Sequence, residues 1–127
     1  MRAKTVVKKE TQQQVDVLRH LIIDSILDKK GEGVISLDLR KINETVTDYF
    51  IICDATTNIQ VKAIADFIYE NVKKNTGQVP WHKEGFENLE WVLLDYIDIV
   101  VHVFRTQTRG FYKLEELWED AGHEEFE

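Results

Sequence analysis

Two aspartates and a histidine interrupt an otherwise apolar stretch, and all three residue types can perform chemistry. The stretch is WVLLDYIDIVVHVF, residues 91–104, and its polar members are Asp95, Asp98 and His102. Two carboxylates at one rim of a sheet could hold a hard cation such as Mg²⁺, as in a metal-dependent nucleotidyltransferase or phosphohydrolase. Aspartates also lie beside turns because they bond to nearby backbone groups, and we favour this structural interpretation.

The spacing of the two aspartates predicts a break in the strand. Along one strand, residues three apart point to opposite faces, which would place one carboxylate in the core at a cost of several kcal/mol. A turn or bulge at Tyr96 and Ile97 would instead produce two strands, 91–94 and 99–104, with both carboxylates at one rim. His102 then lies on an apolar strand, where we expect it to be buried and hydrogen-bonded.

The remaining residues with chemical potential do not form a known catalytic or metal-binding pattern. His102 is separated from the other histidines without metal-ligand spacing; these are His20, His82 and His123. No glycine-rich loop precedes a lysine, and no nucleophile is paired with a base and an acid. We therefore expect no cofactor, no metal ion and no catalytic residue. Cys53 is the only cysteine, which excludes an internal disulfide and indicates a reducing compartment.

Composition narrows the class of partner. The chain has 127 residues, a formal net charge of −7 and a pI near 5.1. Binding to bare nucleic acid requires Lys and Arg to displace counterions, so an acidic chain is better suited to a basic protein. No apolar run approaches the roughly 18 residues that a membrane span needs, and the sequence predicts a cytoplasmic protein with no membrane contact.

Hydrophobic periodicity predicts helices and strands in the order α–β–β–α–β–β–α, an α+β fold with a mixed sheet. The predicted elements are a helix over 12–30, strands over 34–40 and 49–53, a helix over 59–74, strands over 91–94 and 99–104, a loop over 106–110 and a helix over 111–120. We expect one domain over 1–127, with a core at about 12–118 and flexible termini. In the first strand, Ile35, Leu37 and Leu39 should share one face.

Aromatic residues are concentrated among acidic residues in the last part of the chain, and interface hot spots are enriched in Trp and Tyr. For Phe111 and Trp118 we favour burial in the core. For Trp91 and Tyr96, which lie near the predicted turn and are flanked by Glu90 and Asp95, a surface position and a core position are equally supported. These side chains are the candidates for contact with a partner.

Three ordered motifs resemble the ribosomal silencing factor family, also called the Iojap family. They are TDYFIICDATTNIQVKAIAD, EGFENLEWVLLDYIDIVVHVF and RGFYKLEELW, and the similarity runs from about residue 12 to Trp118. The resemblance implies a mixed-sheet domain related to nucleotidyltransferases but without catalysis. It also implies binding to large-subunit ribosomal protein uL14, a steric block of small-subunit joining, and repression of translation when nutrients are scarce.

The resemblance suggests roles for the residues of the opening stretch. Glu84, Asp95 and Asp98 would face a basic patch on the ribosomal protein, and Trp91 and Tyr96 would be aromatic anchors. A homodimer that buries this surface would be a resting form. A metal-dependent enzyme that uses Asp95 and Asp98 is the alternative function.

The chain departs from the usual family pattern at two positions. Ala55 and Ile97 stand where the family usually has glycine. Ala55 weakens a nucleotide-binding interpretation, because it indicates that no ligand needs close approach to the backbone there. Ile97 argues against a tight turn, since a β-branched residue resists positive φ, and it favours a bulge or a longer connection.

Overall fold

The computed structural model describes residues 10–42 and 47–127. Its helices are α1 (Gln12–Asp28), α2 (Asn58–Thr76), α3 (Thr106–Tyr112) and a 3₁₀ helix, η1 (Leu114–Trp118). Its strands are β1 (Glu32–Asp38), β2 (Tyr49–Ala55), β3 (His82–Glu84), β4 (Trp91–Asp95), β5 (Ile99–Arg105) and β6 (Gly122–Phe126). In these residues no helix is long and apolar enough to cross a membrane.

The strands form one mixed sheet, which confirms the predicted α+β class. Their order is β3-β4-β5-β2-β1-β6, with β2 and β5 parallel and all other neighbours antiparallel. Strands β2 and β5 lie at the centre and are buried on both faces, as their apolar runs predict. A six-stranded sheet of this kind has two faces to cover.

Helices α1 and α2 cover the first face of the sheet. Thr11 caps α1 in a capping box with Gln14, and Thr57 caps α2 by accepting from a backbone N–H. Helix α2 ends at Gly77, whose left-handed φ of 78° suits glycine. The predicted stripe of α2 is buried as expected: Val61, Ile64, Ala65, Ile68 and Val72. These side chains form the main core with the first face of the sheet.

A smaller apolar cluster lies on the second face of the sheet. Ile35, Leu37 and Leu39 share this face, as their alternation predicts, and pack with Phe104 and Leu114. The cluster covers the β1–β2 half of the face beneath η1. Within residues 10–42 and 47–127 no helix packs across the β3–β4 half, and the side chains along β4 alternate between half-buried and buried.

Four elements differ from the sequence prediction. Residues 106–112 form helix α3 where a loop was predicted, and the predicted helix 111–120 is reduced to the 3₁₀ turn of η1. Strands β3 and β6 were not predicted, because β3 has three residues and β6 is the acidic segment GHEEF. β6 pairs with β1 beyond residue 118, so the sheet extends past the predicted core. The predicted flexible N-terminal residues and most of the polar turn at 43–48 lie outside the described residues.

The break between β4 and β5 occurs at the predicted position, but its geometry differs. The Tyr96 N–H donates to the Ile99 carbonyl at 2.8 Å, and the Asp98 N–H donates to the Tyr96 carbonyl at 3.0 Å. Ile97, between them, has a φ of 78°. The connection is therefore a tight γ-type turn, and the expected bulge or longer connection is wrong. The Asp95 carboxylate accepts the Ile97 N–H at 2.7 Å and thereby stabilises the strained residue.

Ile97→Gly is expected to leave the free energy of unfolding unchanged or raise it. Glycine removes backbone strain of roughly 1–3 kcal/mol, which offsets its entropy cost of about 0.5–1 kcal/mol and the lost side-chain contacts. Ile59→Gly is the matched control: Ile59 is exposed in helical conformation, and the variant should lose about 0.5 kcal/mol from the lower helix propensity of glycine. Urea denaturation of both variants makes the comparison. If Ile97→Gly lowered the free energy of unfolding by as much as Ile59→Gly or more, backbone strain at Ile97 would be contradicted.

Candidate functional site

The uncovered half of the second sheet face holds the candidate site. Directly paired residues of neighbouring strands project to the same face, and the register pairs Glu84 with Leu93 and His82 with Asp95. Trp91 lies two residues from Leu93 and shares that face. We call this surface the open face; its residues are His82, Glu84, Trp91, Leu93 and Asp95. Glu84, Trp91 and Leu93 line a shallow depression of about 310 Å³ on it.

Trp91 is fixed on the open face by three side chains beneath and beside it. Its indole Nε1–H donates to His102 Nδ1 at 3.0 Å. Its ring lies 4.7 Å from the Phe104 ring and 5.0 Å from the Tyr112 ring, centroid to centroid. Trp91 is half-buried, so it is neither a free surface side chain nor a core residue. It presents one part of a rigid aromatic ring to solvent.

His102 is buried, and its hydrogen bond defines its protonation. The side chain is 4% exposed and accepts from Trp91, as the predicted buried hydrogen bond requires. Because indole can only donate, Nδ1 must be unprotonated and the single proton lies on Nε2. Burial lowers the pKa of His102 to about 4, so the ring is neutral at physiological pH. Among the described residues Nε2 has no hydrogen-bond partner; the Phe50 ring lies edge-on at 4.7 Å.

Two of the five predicted site residues are not on the open face. Tyr96 is 4% exposed and packs in the main core on the opposite face, where burial raises the pKa of its hydroxyl. Asp98 is also 4% exposed, and its carbonyl accepts the N–H groups of residues 48 and 49. The surface position expected for Asp98 is therefore wrong, and of the two positions equally supported for Tyr96 the structure has the core one, so Tyr96 is not a surface anchor. Strand alternation places residue 96 opposite Asp95, and the tight turn directs Asp98 inward.

The geometry does not create a paired-carboxylate site. Asp95 lies on the open face and bonds to the Ile97 backbone, as the favoured interpretation of the aspartates predicts, whereas Asp98 is buried. Among residues 10–42 and 47–127, no group of three or more His, Cys, Asp or Glu side chains could hold a metal ion. The Cys53 thiol is fully buried, and burial raises its pKa.

The aromatic surface continues onto α3, which the sequence analysis missed. Tyr112 packs on Trp91 and is 53% exposed, and the Phe111 ring lies 5.0 Å from Tyr112 and is 78% exposed. The core position favoured for Phe111 is wrong, and Trp118 is half-buried on the Phe50 ring. The adjacent aromatic pair in RGFYKLEELW was the available signal. Leu93 was also missed, although it alternates with Trp91 and Asp95.

The open face combines acidic and apolar character. Glu84 is exposed, and its carboxylate lies 2.7 Å from His82 Nε2. The neighbouring cation, Lys83, points to the other face, where its ammonium lies over the Tyr69 ring at 4.9 Å. The face therefore has an aromatic and aliphatic centre with acidic side chains beside it. This arrangement is typical of a surface that binds a basic protein.

Comparisons with known proteins show the family of the chain. The model of the family "Ribosomal silencing factor during starvation" matches residues 9–127. The ribosomal silencing factor RsfS of Bacillus subtilis is 45% identical over 94 residues, which cover 74% of this chain and 78% of that protein. A crystal structure of the Chromobacterium violaceum protein CV0518 superimposes with a TM-score of 0.78 at 33% identity, covering 83% of this chain and 86% of that one.

A further relative carries a more specific name. The mouse protein "Mitochondrial assembly of ribosomal large subunit protein 1" is 32% identical over 76 residues, which cover 57% of this chain and 32% of that protein. The family match spans both helices of the first face and every strand of the sheet. The family's role is regulatory and associated with the ribosome. On this evidence the chain belongs to the ribosomal silencing factor family.

Proposed function

We propose that this protein represses translation by binding the large ribosomal subunit through ribosomal protein uL14 and blocking the joining of the small subunit. In this proposal it acts in the cytoplasm under nutrient limitation and is not an enzyme. The observation that carries the proposal is the open face, with a preorganised Trp91 next to Glu84 and Asp95. The name of the mouse relative, which refers to the large subunit, supports the choice of subunit.

The charge of the chain supports a protein as the landing site on the ribosome. At a net charge of −7, the chain is repelled by ribosomal RNA and has little capacity to displace phosphate counterions. A basic patch on a ribosomal protein attracts the negatively charged chain and orients its approach. Glu84 and Asp95 are the acidic side chains of the open face that would meet this patch. Such rim charges mainly raise the association rate.

The apolar centre of the open face supplies the affinity. Trp91 is held by its bond to His102 and by the Phe104 ring, so it loses little side-chain freedom when a partner covers it. Leu93 lies beside it, and Tyr112 extends the apolar surface. Hot spots have this composition, with a central aromatic residue surrounded by less important contacts. A homodimer formed through the same face would be a resting state that competes with ribosome binding.

The test is sedimentation of tagged protein in a lysate of starved cells. We expect the protein in the fractions of free large subunits, and we expect it to be absent from joined ribosomes and free small subunits. Steric exclusion is the reason, since a factor on the joining surface and a small subunit cannot be bound together. Equal occupancy of translating ribosomes would contradict the blocking mechanism, and sedimentation with small subunits would contradict the choice of partner.

A further inference from the structure

The Arg109 side chain attaches α3 to three other elements of the molecule through hydrogen bonds and ion pairs. Helix α3 has no buried residue, yet the Arg109 side chain is only 14% exposed. Its Nη1 donates to Asp54 Oδ2 at 2.8 Å and to the Gly33 carbonyl at 2.6 Å. Its Nε donates to Glu115 Oε2 at 2.8 Å. One guanidinium group therefore connects α3 to β1, β2 and η1 at the same time.

Two neighbouring residues are adapted to this guanidinium. Gly33 lies at an irregularity of β1 with a φ of 57°, and a Cβ atom there would come within 2.6 Å of Arg109 Nη1. A side chain at position 33 would require the Arg109 guanidinium to shift. The second oxygen of Asp54 accepts from Thr106 Oγ1 at 2.7 Å, so the first residue of α3 is attached to the same carboxylate. The first residue of the short helix and its central Arg109 are thus both bound to Asp54 of β2.

The attachment determines where α3 places its aromatic residues. Tyr112 is the last residue of α3, one turn beyond Arg109, and it lies against the Trp91 ring. A seven-residue helix without buried side chains does not hold its position by packing. A planar guanidinium with several fixed hydrogen bonds provides that rigidity, which a lysine cannot reproduce. Arg109 controls the edge of the open face although it is not part of it.

We propose that Arg109 is a positioning residue for docking, which acts by holding Tyr112 against Trp91. This inference rests on the proposed function, because it assigns the way in which that docking surface is assembled. Arg109 itself does not touch the partner. Its contribution passes through Tyr112, and this makes the inference testable with a double-mutant cycle.

The cycle combines Arg109→Lys with Tyr112→Ala and measures binding to purified large subunits. Each single variant is expected to weaken binding about tenfold relative to the natural protein. The double variant should also weaken binding only about tenfold, because both changes remove the same contact. A hundredfold loss in the double variant would show independent effects and would overturn the positioning role. Unchanged binding by Arg109→Lys would overturn it as well. Arg40→Lys is the matched control, since Arg40 forms an exposed bidentate pair with Asp38, and it should bind normally.

A milder variant covers the case in which Arg109→Lys does not fold. Thr106→Val removes only the hydroxyl bond to Asp54, and we expect it to weaken binding about threefold and to show the same non-additivity with Tyr112→Ala. Additive losses in this pair would overturn the inference. The variant Trp91→Ala distinguishes failure of the proposed docking surface from failure of the positioning role of Arg109. If Trp91→Ala binds normally, the docking surface itself is wrong; if only the Arg109 cycle fails, the surface stands and the positioning role does not.

Discussion

Trp91→Ala is expected to weaken binding to the large ribosomal subunit about thirtyfold or more, equivalent to a hot-spot contact of roughly 2 kcal/mol. The same change should lower the free energy of unfolding by about 2–3 kcal/mol. Complete truncation of a fully buried Trp costs roughly 3–5 kcal/mol, and Trp91 is half-buried. The Trp91→Ala substitution also leaves the Nδ1 of His102 without its hydrogen-bond donor. Subunit binding and thermal melting, measured on the same preparation, check both parts.

Phe67→Ala separates the two effects of the tryptophan variant. Phe67 is a half-buried aromatic residue on α2, on the far side of the sheet from the open face. It should lose a similar amount of stability and bind the large subunit normally. Normal binding of the large subunit by a folded Trp91→Ala variant would contradict the assignment of Trp91 to the interface. An equal loss of binding in Phe67→Ala would show that destabilisation alone explains the result.

The sequence was sufficient to predict the parts of this surface that depend on strand alternation. Trp91 and Asp95 are an even number of residues apart in one strand, so they had to share a face. The same rule places Tyr96 on the other face once β4 is known to extend to Asp95. Where β4 ends depends on the type of turn that follows it, and Ile97 favoured a bulge or longer connection over the tight turn that the structure has. The Asp95 carboxylate accepts a local hydrogen bond from the Ile97 N–H and stabilises the observed turn, and a one-residue error in a strand exchanges its two faces.

The elements that the sequence did not reveal are those held by distant contacts. Strand β6 is an acidic segment that pairs through its backbone with β1, and of its side chains Phe126 packs on the main core. Helix α3 depends on Arg109 and on partners 55 and 76 residues away in sequence. No periodicity within TQTRGFY encodes those partners. Propensity therefore predicted a loop there, and tertiary contacts overrode it.

Stability is expected to fall steeply as the pH is lowered from 6.5 towards 4, because His102 is neutral in the folded protein. Burial lowers its pKa to about 4, whereas an unfolded histidine has a pKa near 6.5. Between these values the unfolded chain takes up a proton that the folded protein does not, so acid favours unfolding. Uptake of one proton by the unfolded chain lowers the free energy of unfolding by about 1.4 kcal/mol per pH unit. The total loss of stability attributable to His102 is about 3 kcal/mol.

His102→Gln isolates this contribution. At pH 7 the variant should be less stable by about 1 kcal/mol, since it loses a buried hydrogen bond and its packing. At pH 4 the order should reverse, because glutamine takes up no proton and all other titrating groups are unchanged. Urea denaturation at several pH values gives the difference directly. His20→Gln, at an exposed position, is the control for losing one histidine. A stability difference between the natural protein and His102→Gln that does not vary with pH would contradict the neutral, buried imidazole. Protonated His102 could no longer accept from Trp91, so the folded protein should release the anchor of the open face only near and below pH 4, where it takes up the proton itself.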